Sequence, residues 1–168
     1  SLIRGKEYLP LVRSALAEEG VPEDMLSVAI IESGFRADAR SPAGAVGMWQ
    51  LMKGTARLYG LDVNLLQDER RDPMLASVAA ARHLRELYLI YKDWNLAVAA
   101  YNAGTGSING AISAAKSDDF WTLSRSGRIK KETSRFVSRF IATSLLVKSQ
   151  TTGIMQARNS SSQLKALG

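Results

Sequence analysis

One acidic side chain draws attention because it ends an apolar helical pattern. The stretch from Met25 to Ile31 is almost wholly apolar, and Glu32 follows it directly. On a helix, positions 25, 28, 32 and 35 share one face, so Glu32 lies in line with Val28 and Phe35. Apolar surroundings disfavour the charged form of a carboxyl group, and the negative end of a helix dipole acts in the same direction. The pattern therefore predicts a raised pKa for Glu32.

Two interpretations of Glu32 are open on spacing alone. A glutamate at a helix end can extend its carboxylate into solvent along its aliphatic stem. Alternatively, a carboxyl group that stays protonated near neutral pH can donate its proton to a leaving oxygen. Cleavage of a glycosidic bond requires such a general acid.

Two further segments place polar side chains among apolar ones. In GMWQLM, Gln50 is the polar residue, and Gly47 would let the backbone approach a ligand closely. In AVAAYNAG, Tyr101 and Asn102 end a helix of small residues that can pack closely against another helix. Each has a simpler interpretation, a surface amide for Gln50 and a core tyrosine for Tyr101.

Helical patterns predict the elements that hold these side chains. Pro22 suits the first turn of a helix, and Asp72 is a predicted N-cap. Strand patterns are nearly absent, and residues 36–47 have the proline and glycine content of a loop. The chain is therefore predicted to be all-α, with helices at residues 6–19, 22–33, 72–92, 95–103 and 130–149.

The length of 168 residues is enough for one domain with a real core. We predict that domain over residues 1–150, followed by a serine-rich tail at 151–168 that packs loosely on it. No apolar run approaches the roughly 20 residues that span a bilayer, so no membrane segment is predicted.

Composition excludes several classes of site. The absence of cysteine rules out disulfides, thiol catalysis and cysteine-type zinc sites. His83, the one histidine, has no partner at ligand spacing, and no calcium-loop pattern occurs, so neither metal nor cofactor is expected. The formal net charge of +6 favours an anionic partner, but the scattered basic residues argue against nucleic acid.

Three short motifs occur in order along the chain. They are Glu32-Ser33, Gly47-Met48-Trp49-Gln50 and Ala100-Tyr101-Asn102-Ala103-Gly104. Together they resemble the motifs of the lytic transglycosylases, in the soluble-lytic-transglycosylase-type domain with a goose-lysozyme-like fold. The resemblance runs from about residue 8 to 149, and DERRDP (68–73) and KETSRFV (131–137) are similar to the membrane-bound lytic murein transglycosylase D branch.

The resemblance implies a lysozyme-like helical domain with a substrate cleft, and peptidoglycan glycan strands as its partner. The bond cut would join N-acetylmuramic acid to N-acetylglucosamine. Glu32 would protonate the leaving oxygen and then accept the proton of the muramyl C6 hydroxyl, which attacks the anomeric carbon. The product would be a 1,6-anhydromuramyl end. The substrate implies a periplasmic location in the bacterial cell envelope, and we expect a monomer.

The resemblance also assigns the surrounding residues. Ser33 and Gln50 would hold substrate groups, Met48 would line the cleft, and Tyr101 would orient Glu32 or the N-acetyl group. The complete substrate-binding set that the resemblance implies is Ser33, Gly47, Met48, Gln50, Tyr101, Asn102 and Glu132.

Asn102 and Glu132 lie next to helix ends in the predicted arrangement. Asn102 would help to fix the turn after its helix. Glu132 is either a supporting acid of the site or a first-turn glutamate that faces solvent. Among the aromatic residues, Trp49 is the one most expected to stack on a sugar ring.

Other classes of function stay open beside the transglycosylase. A hydrolytic muramidase of the same fold would need a second carboxylate near the cleft. Asp38 is the nearest downstream acid, and its loop position favours a solvated side chain. A non-catalytic wall-binding module would be marked by loss of the glutamate, and Glu32 is present. An unrelated helical interaction domain would tolerate its mutation.

Overall fold

The computed structural model describes residue 5 and residues 7–166, with side chains described through residue 149. Within that part the chain is helical, with isolated bridges such as Arg40 to Val46 in place of strands. The predicted all-α class is therefore confirmed. The α-helices are α1 (Leu9–Glu18), α2 (Leu26–Ser33), α3 (Lys53–Leu58), α4 (Pro73–Tyr91), α5 (Trp94–Ala103), α6 (Thr105–Ala115), α7 (Phe120–Arg125) and α8 (Lys131–Ala166).

The predicted helices are found, with some changes at their ends. Two short 3-10 helices, Glu23–Met25 and Glu69–Arg71, precede α2 and α4. Helix α8 continues to Ala166, past the predicted end at 149, so the predicted tail is helical in its backbone as far as residue 166. How that tail packs stays a prediction, since its side chains lie outside the described residues.

Three helices were not predicted. Helices α3 and α7 have only six residues each, which is too short for a clear periodic pattern. Helix α6 contains two glycines, which lower helix propensity, and it buries Ile108 and Ala111. Packing against α5 supplies what its local sequence lacks.

Helix α4 is the central element of the core and packs against α1 and α5. Asp72 caps it, because its carboxylate accepts hydrogen bonds from the backbone amides of Met74 and Leu75, both at 2.9 Å. Small buried residues such as Ala80 let neighbouring helices approach closely. Among the described helices, none is both long and apolar enough to span a bilayer.

Helix α8 crosses the bundle and packs against both α2 and α5. Its buried face carries Phe136, Val137 and Phe140. This packing brings the first turns of α8 beside the C-terminal ends of α2 and α5, where the predicted site residues lie.

Candidate active site

Glu32 lies in the last turn of α2, and the chain reverses immediately after it. Gly34 adopts a left-handed conformation with φ of 64°, and its amide donates to the carbonyl of Ile30 at 2.9 Å. The reversal buries Phe35, which is 2% exposed. Glu32 itself is half-buried, one residue before the last residue of α2.

Glu32 opens into a pocket of about 400 Å³ between the ends of α2 and α5 and the start of α8. Burial raises the pKa of Glu32 from 4.5 to about 7, and the positive charge of Arg139 acts in the opposite direction. The acid form of the carboxyl group therefore persists to a much higher pH than it does for a glutamate in water. The residues that line the pocket are Ile31, Glu32, Asn102, Glu132, Arg135, Phe136 and Arg139.

Ser33 joins the end of α2 to the glycine-containing loop. Its hydroxyl donates to the carbonyl oxygen of Met48 at 2.7 Å and accepts from the amide of Arg36 at 3.0 Å. The Met48 side chain is fully buried and does not line the pocket. In this arrangement Ser33 acts on the loop backbone, and the predicted contacts of Ser33 and Met48 with substrate stay predictions.

Gln50 occupies a strained turn rather than a helix, with φ of 50°. Its side-chain amide donates to the carbonyl oxygen of Gly47 at 2.8 Å, which closes the turn on itself. Its side-chain carbonyl oxygen accepts no hydrogen bond within the described part of the chain. That oxygen is free to bind a ligand donor.

Arg70 holds this loop in place and was not predicted as a site residue. Its buried guanidinium pairs with Asp68 at 2.7 Å and donates to the carbonyl oxygens of Gly44 and Leu51, both at 3.0 Å. Gly47 packs on the Arg70 backbone so closely that a Cβ atom there would overlap the Arg70 carbonyl oxygen. The DERRDP motif was the only sequence signal for this interaction.

Tyr101 ties α5 to the same loop. Its hydroxyl donates to the carbonyl oxygen of Trp49 at 2.7 Å. Burial, with the charge of Glu32 acting in the same direction, raises the pKa of Tyr101 well above its usual range. Tyr101 therefore stays neutral. Both of its features are present together: it packs in the protein interior, and it lies close enough to Glu32 to feel its charge.

Trp49 does not line the pocket, and the expectation that it stacks on a sugar ring is wrong for this conformation. Its side chain is fully buried, and its indole nitrogen donates to the hydroxyl of Ser77 at 2.8 Å. The apolar neighbours in GMWQLM signal burial as much as a binding surface.

His83 packs behind Tyr101, with ring centroids 5.3 Å apart. Its Nδ1 lies 3.0 Å from the hydroxyl of Tyr59, and burial lowers the pKa of His83 to about 4. The ring is neutral at physiological pH. In the part of the chain that the structure describes, no group of three or more His, Cys, Asp or Glu side chains could hold a metal ion.

Asn102 and Glu132 both line the pocket. The hydroxyl of Thr133 donates to the side-chain oxygen of Asn102 at 2.9 Å, which joins the end of α5 to α8. Both Asn102 and Glu132 also line a second pocket of about 210 Å³, so the two pockets adjoin each other. Glu132 is solvent-exposed, and Asp38 is exposed on the loop and does not line either pocket.

The structure thus divides the predicted residues into two groups. Glu32, Asn102 and Glu132 line the open pocket. The others do not line it, and they hold the loop and helix ends in place by the contacts described above: Ser33, Gly47, Met48, Gln50 and Tyr101. Arg139 also lines the pocket, and no pattern in the sequence predicted it. It follows Glu32 by 107 residues in the chain.

Tyr101→Phe should destabilise the domain by about 1–3 kcal/mol, because it leaves the buried Trp49 carbonyl oxygen without its donor. Urea denaturation would measure the free energy of unfolding. Tyr88→Phe is the matched control, since Tyr88 stacks on Trp94 and its hydroxyl makes no hydrogen bond among the described residues. Equal losses in the two variants would contradict the prediction.

Comparison with known families defines the class of this domain. The sequence matches the Transglycosylase SLT domain family over residues 10–124, which is more than half of the chain. The chain belongs to this family, as the three ordered motifs predict.

Two curated relatives are similar to most of the chain. Membrane-bound lytic murein transglycosylase D of Escherichia coli K12 is 33% identical over 151 residues, covering 87% of this chain and 32% of that protein. Peptidoglycan transglycosylase gp16 of Escherichia phage T7 is 38% identical over 126 residues, covering 73% of this chain and 10% of that protein. The chain therefore spans about a third of the length of the first relative and less of the second.

Solved structures support the fold. An inactive mutant of lytic transglycosylase Slt from Pseudomonas aeruginosa superposes with a TM-score of 0.73 at 23% identity, covering 85% of this chain and 24% of that one. The 70-kDa soluble lytic transglycosylase of Escherichia coli gives a TM-score of 0.70 at 22% identity, covering 80% of this chain and 23% of that one. The lysozyme-like helical fold is confirmed.

Proposed function

We propose that this domain is a peptidoglycan lytic transglycosylase that cleaves the bond between N-acetylmuramic acid and N-acetylglucosamine and leaves 1,6-anhydromuramyl ends. The observation that carries the proposal is Glu32, half-buried, with its pKa raised to about 7 and its carboxyl group open to a pocket. Family membership supports the substrate, since the curated relatives are named for murein and peptidoglycan.

Glu32 would transfer a proton twice in each turnover. In its acid form it donates to the glycosidic oxygen as the bond from that oxygen to the anomeric carbon breaks. The carboxylate formed then accepts the proton of the muramyl C6 hydroxyl while the C6 oxygen bonds to the anomeric carbon. Glu32 is protonated again at the end, and no water is consumed.

The remaining site residues would position the substrate relative to the carboxyl group of Glu32. Asn102 and Glu132 would contact the glycan directly, since they line both pockets. Gln50 would do so through its free carbonyl oxygen. Ser33 and Tyr101 would act through the loop backbone, where their hydroxyls already donate.

A hydrolytic muramidase of the same fold is the second candidate, and Glu132 is the observation that favours it. This carboxylate lines the same pocket as Glu32 and could activate a water or stabilise a cationic intermediate.

The location that we propose from the substrate is the bacterial cell envelope, on the periplasmic side. The monomeric state stays a prediction.

The mass of the released muropeptides tests the proposal. Purified sacculi digested by this domain should yield products one water lighter than those of a hydrolytic lysozyme. Hydrated reducing ends would instead establish the muramidase, and Glu132→Gln would then be expected to abolish activity. The absence of any product from native and from deacetylated sacculi would contradict both enzymes and support a wall-binding module.

The rate should fall at alkaline pH, with a midpoint near pH 7. The first step needs protonated Glu32, and its pKa is raised to about 7, so the acid form is lost as pH rises through that value. Initial rates of product release between pH 5 and 9 would show the decline. A rate that stays constant from pH 6 to 9 would contradict the assignment of Glu32 as the acid.

A further inference from the structure

Arg139 lies on α8 beside the helix end that carries Glu32. Its Nη2 donates to the carbonyl oxygen of Ile31 at 3.3 Å, and both Arg139 and Glu32 line the 400 Å³ pocket. A carbonyl group in the last turn of a helix has no partner within the helix, and a cation there is favoured by the helix dipole. The contact therefore holds a permanent positive charge at the helix end that carries Glu32, in the pocket that Glu32 also lines.

We propose that Arg139 is a positioning residue that keeps this charge in the pocket of Glu32, so that the carboxylate left by the first proton transfer is stabilised until it accepts the second proton. The inference rests on the proposed function, in which Glu32 acts first as an acid and then as a base. Burial alone would favour the acid form and oppose the developing carboxylate.

Other charged groups do not provide this counter-charge. Arg135 lines the same pocket one helical turn before Arg139, but no hydrogen bond or ion pair joins it to α2 among the described residues. Glu132, on the same helix, carries the opposite sign. Tyr101, which faces Glu32 from α5, stays neutral because burial raises its pKa.

The charges on the elements packed against the other end of α2 are already paired. Glu23 and Asp24 lie in the 3-10 helix that precedes α2. Glu23 pairs with Arg13 of α1 at 2.7 Å, and Asp24 pairs with Lys148 of α8 at 2.7 Å. Arg139 is thus the cation that both contacts the C-terminal turn of α2 and lowers the pKa of Glu32.

The experiment compares the pH dependence of anhydromuropeptide release by the wild-type domain, Arg139→Gln and Arg139→Lys. The alkaline limb is the fall of the rate at high pH. Loss of the charge should move the midpoint of this limb up by about 0.5–1 pH unit and lower the maximal rate about three- to tenfold. Arg139→Lys keeps the charge and should restore most of the limb position. A merely structural role would change the rate without moving the limb.

Arg135→Gln is the matched control, since it removes one positive charge from the same pocket and should leave the limb in place. If circular dichroism shows that Arg139→Gln is unfolded, Arg139→Met keeps the aliphatic stem and takes its place. An unmoved limb, or equal movement in the Arg135 and Arg139 variants, would overturn the inference. A wild-type domain that releases no anhydro product would instead overturn the proposed function itself.

Discussion

Glu32→Gln is expected to lower the rate of glycan cleavage by about 10²- to 10⁴-fold, the range that a general acid and base contributes. Glutamine has nearly the same shape, but it cannot donate a proton to the leaving oxygen. The measurement is the initial rate of anhydromuropeptide release from purified sacculi. Glu18→Gln is the control, because Glu18 is an exposed carboxylate on α1 that does not line the pocket.

The same variant should fold at least as well as the wild type at alkaline pH. The pKa of Glu32 is raised in the folded state, from 4.5 to about 7, so the folded state binds more protons than the unfolded state between these values. The wild type therefore loses stability as pH rises through that window, and Glu32→Gln does not. Thermal unfolding at pH 5 and pH 8 should show a relative gain for the variant at pH 8.

These two measurements separate chemistry from folding. A variant that is inactive and folded at pH 8 places Glu32 in the reaction. Activity within about tenfold of the wild type would remove Glu32 from that role. A variant that is less stable at pH 8 than at pH 5, relative to the wild type, would show that the carboxyl group is not desolvated in the folded protein.

Gly47→Ala is expected to destabilise the domain by roughly 3–5 kcal/mol, a large part of the stability of a single domain. Gly47 has φ of +85°, which side chains rarely adopt, and a Cβ atom would overlap the carbonyl oxygen of Arg70. Urea denaturation would measure the loss. The displaced loop should also lower activity, because it carries Gln50 and accepts the hydrogen bonds of Ser33 and Tyr101.

Gly44→Ala separates the two causes of that loss. Gly44 has φ of +90°, close to that of Gly47, but a Cβ atom there would have no neighbour within 4 Å. It should cost about 1 kcal/mol, from backbone strain alone. Equal losses at the two glycines would show that the close approach to Arg70 has no energetic consequence.

Local patterns in the sequence predicted most of the elements. Helices α2, α4 and α5 follow from apolar periodicity and from signals such as Asp72, which act within a few residues of the chain. The shorter helices escaped prediction because six residues carry little periodicity, and α6 because its glycines conceal a helix that packing stabilises.

Part of the site was predicted as well, because its signals also lie within a few residues of each other in the sequence. The position of Glu32 at the end of an apolar face is a local property, and so is the order of the three motifs. Trp49 shows what such local patterns cannot distinguish. An aromatic residue among apolar neighbours has the same sequence pattern whether its ring faces a ligand or the core.

By itself, the sequence determined the helical class, the family and the acid in its apolar setting. The tertiary structure decided which groups act on that acid and on its loop. Arg139 reaches the end of α2 from 107 residues beyond Glu32, and Arg70 clamps a loop that lies 19 to 26 residues before it. Such pairs depend on how helices pack in space, and periodicity along the chain carries no information on which distant side chain will arrive.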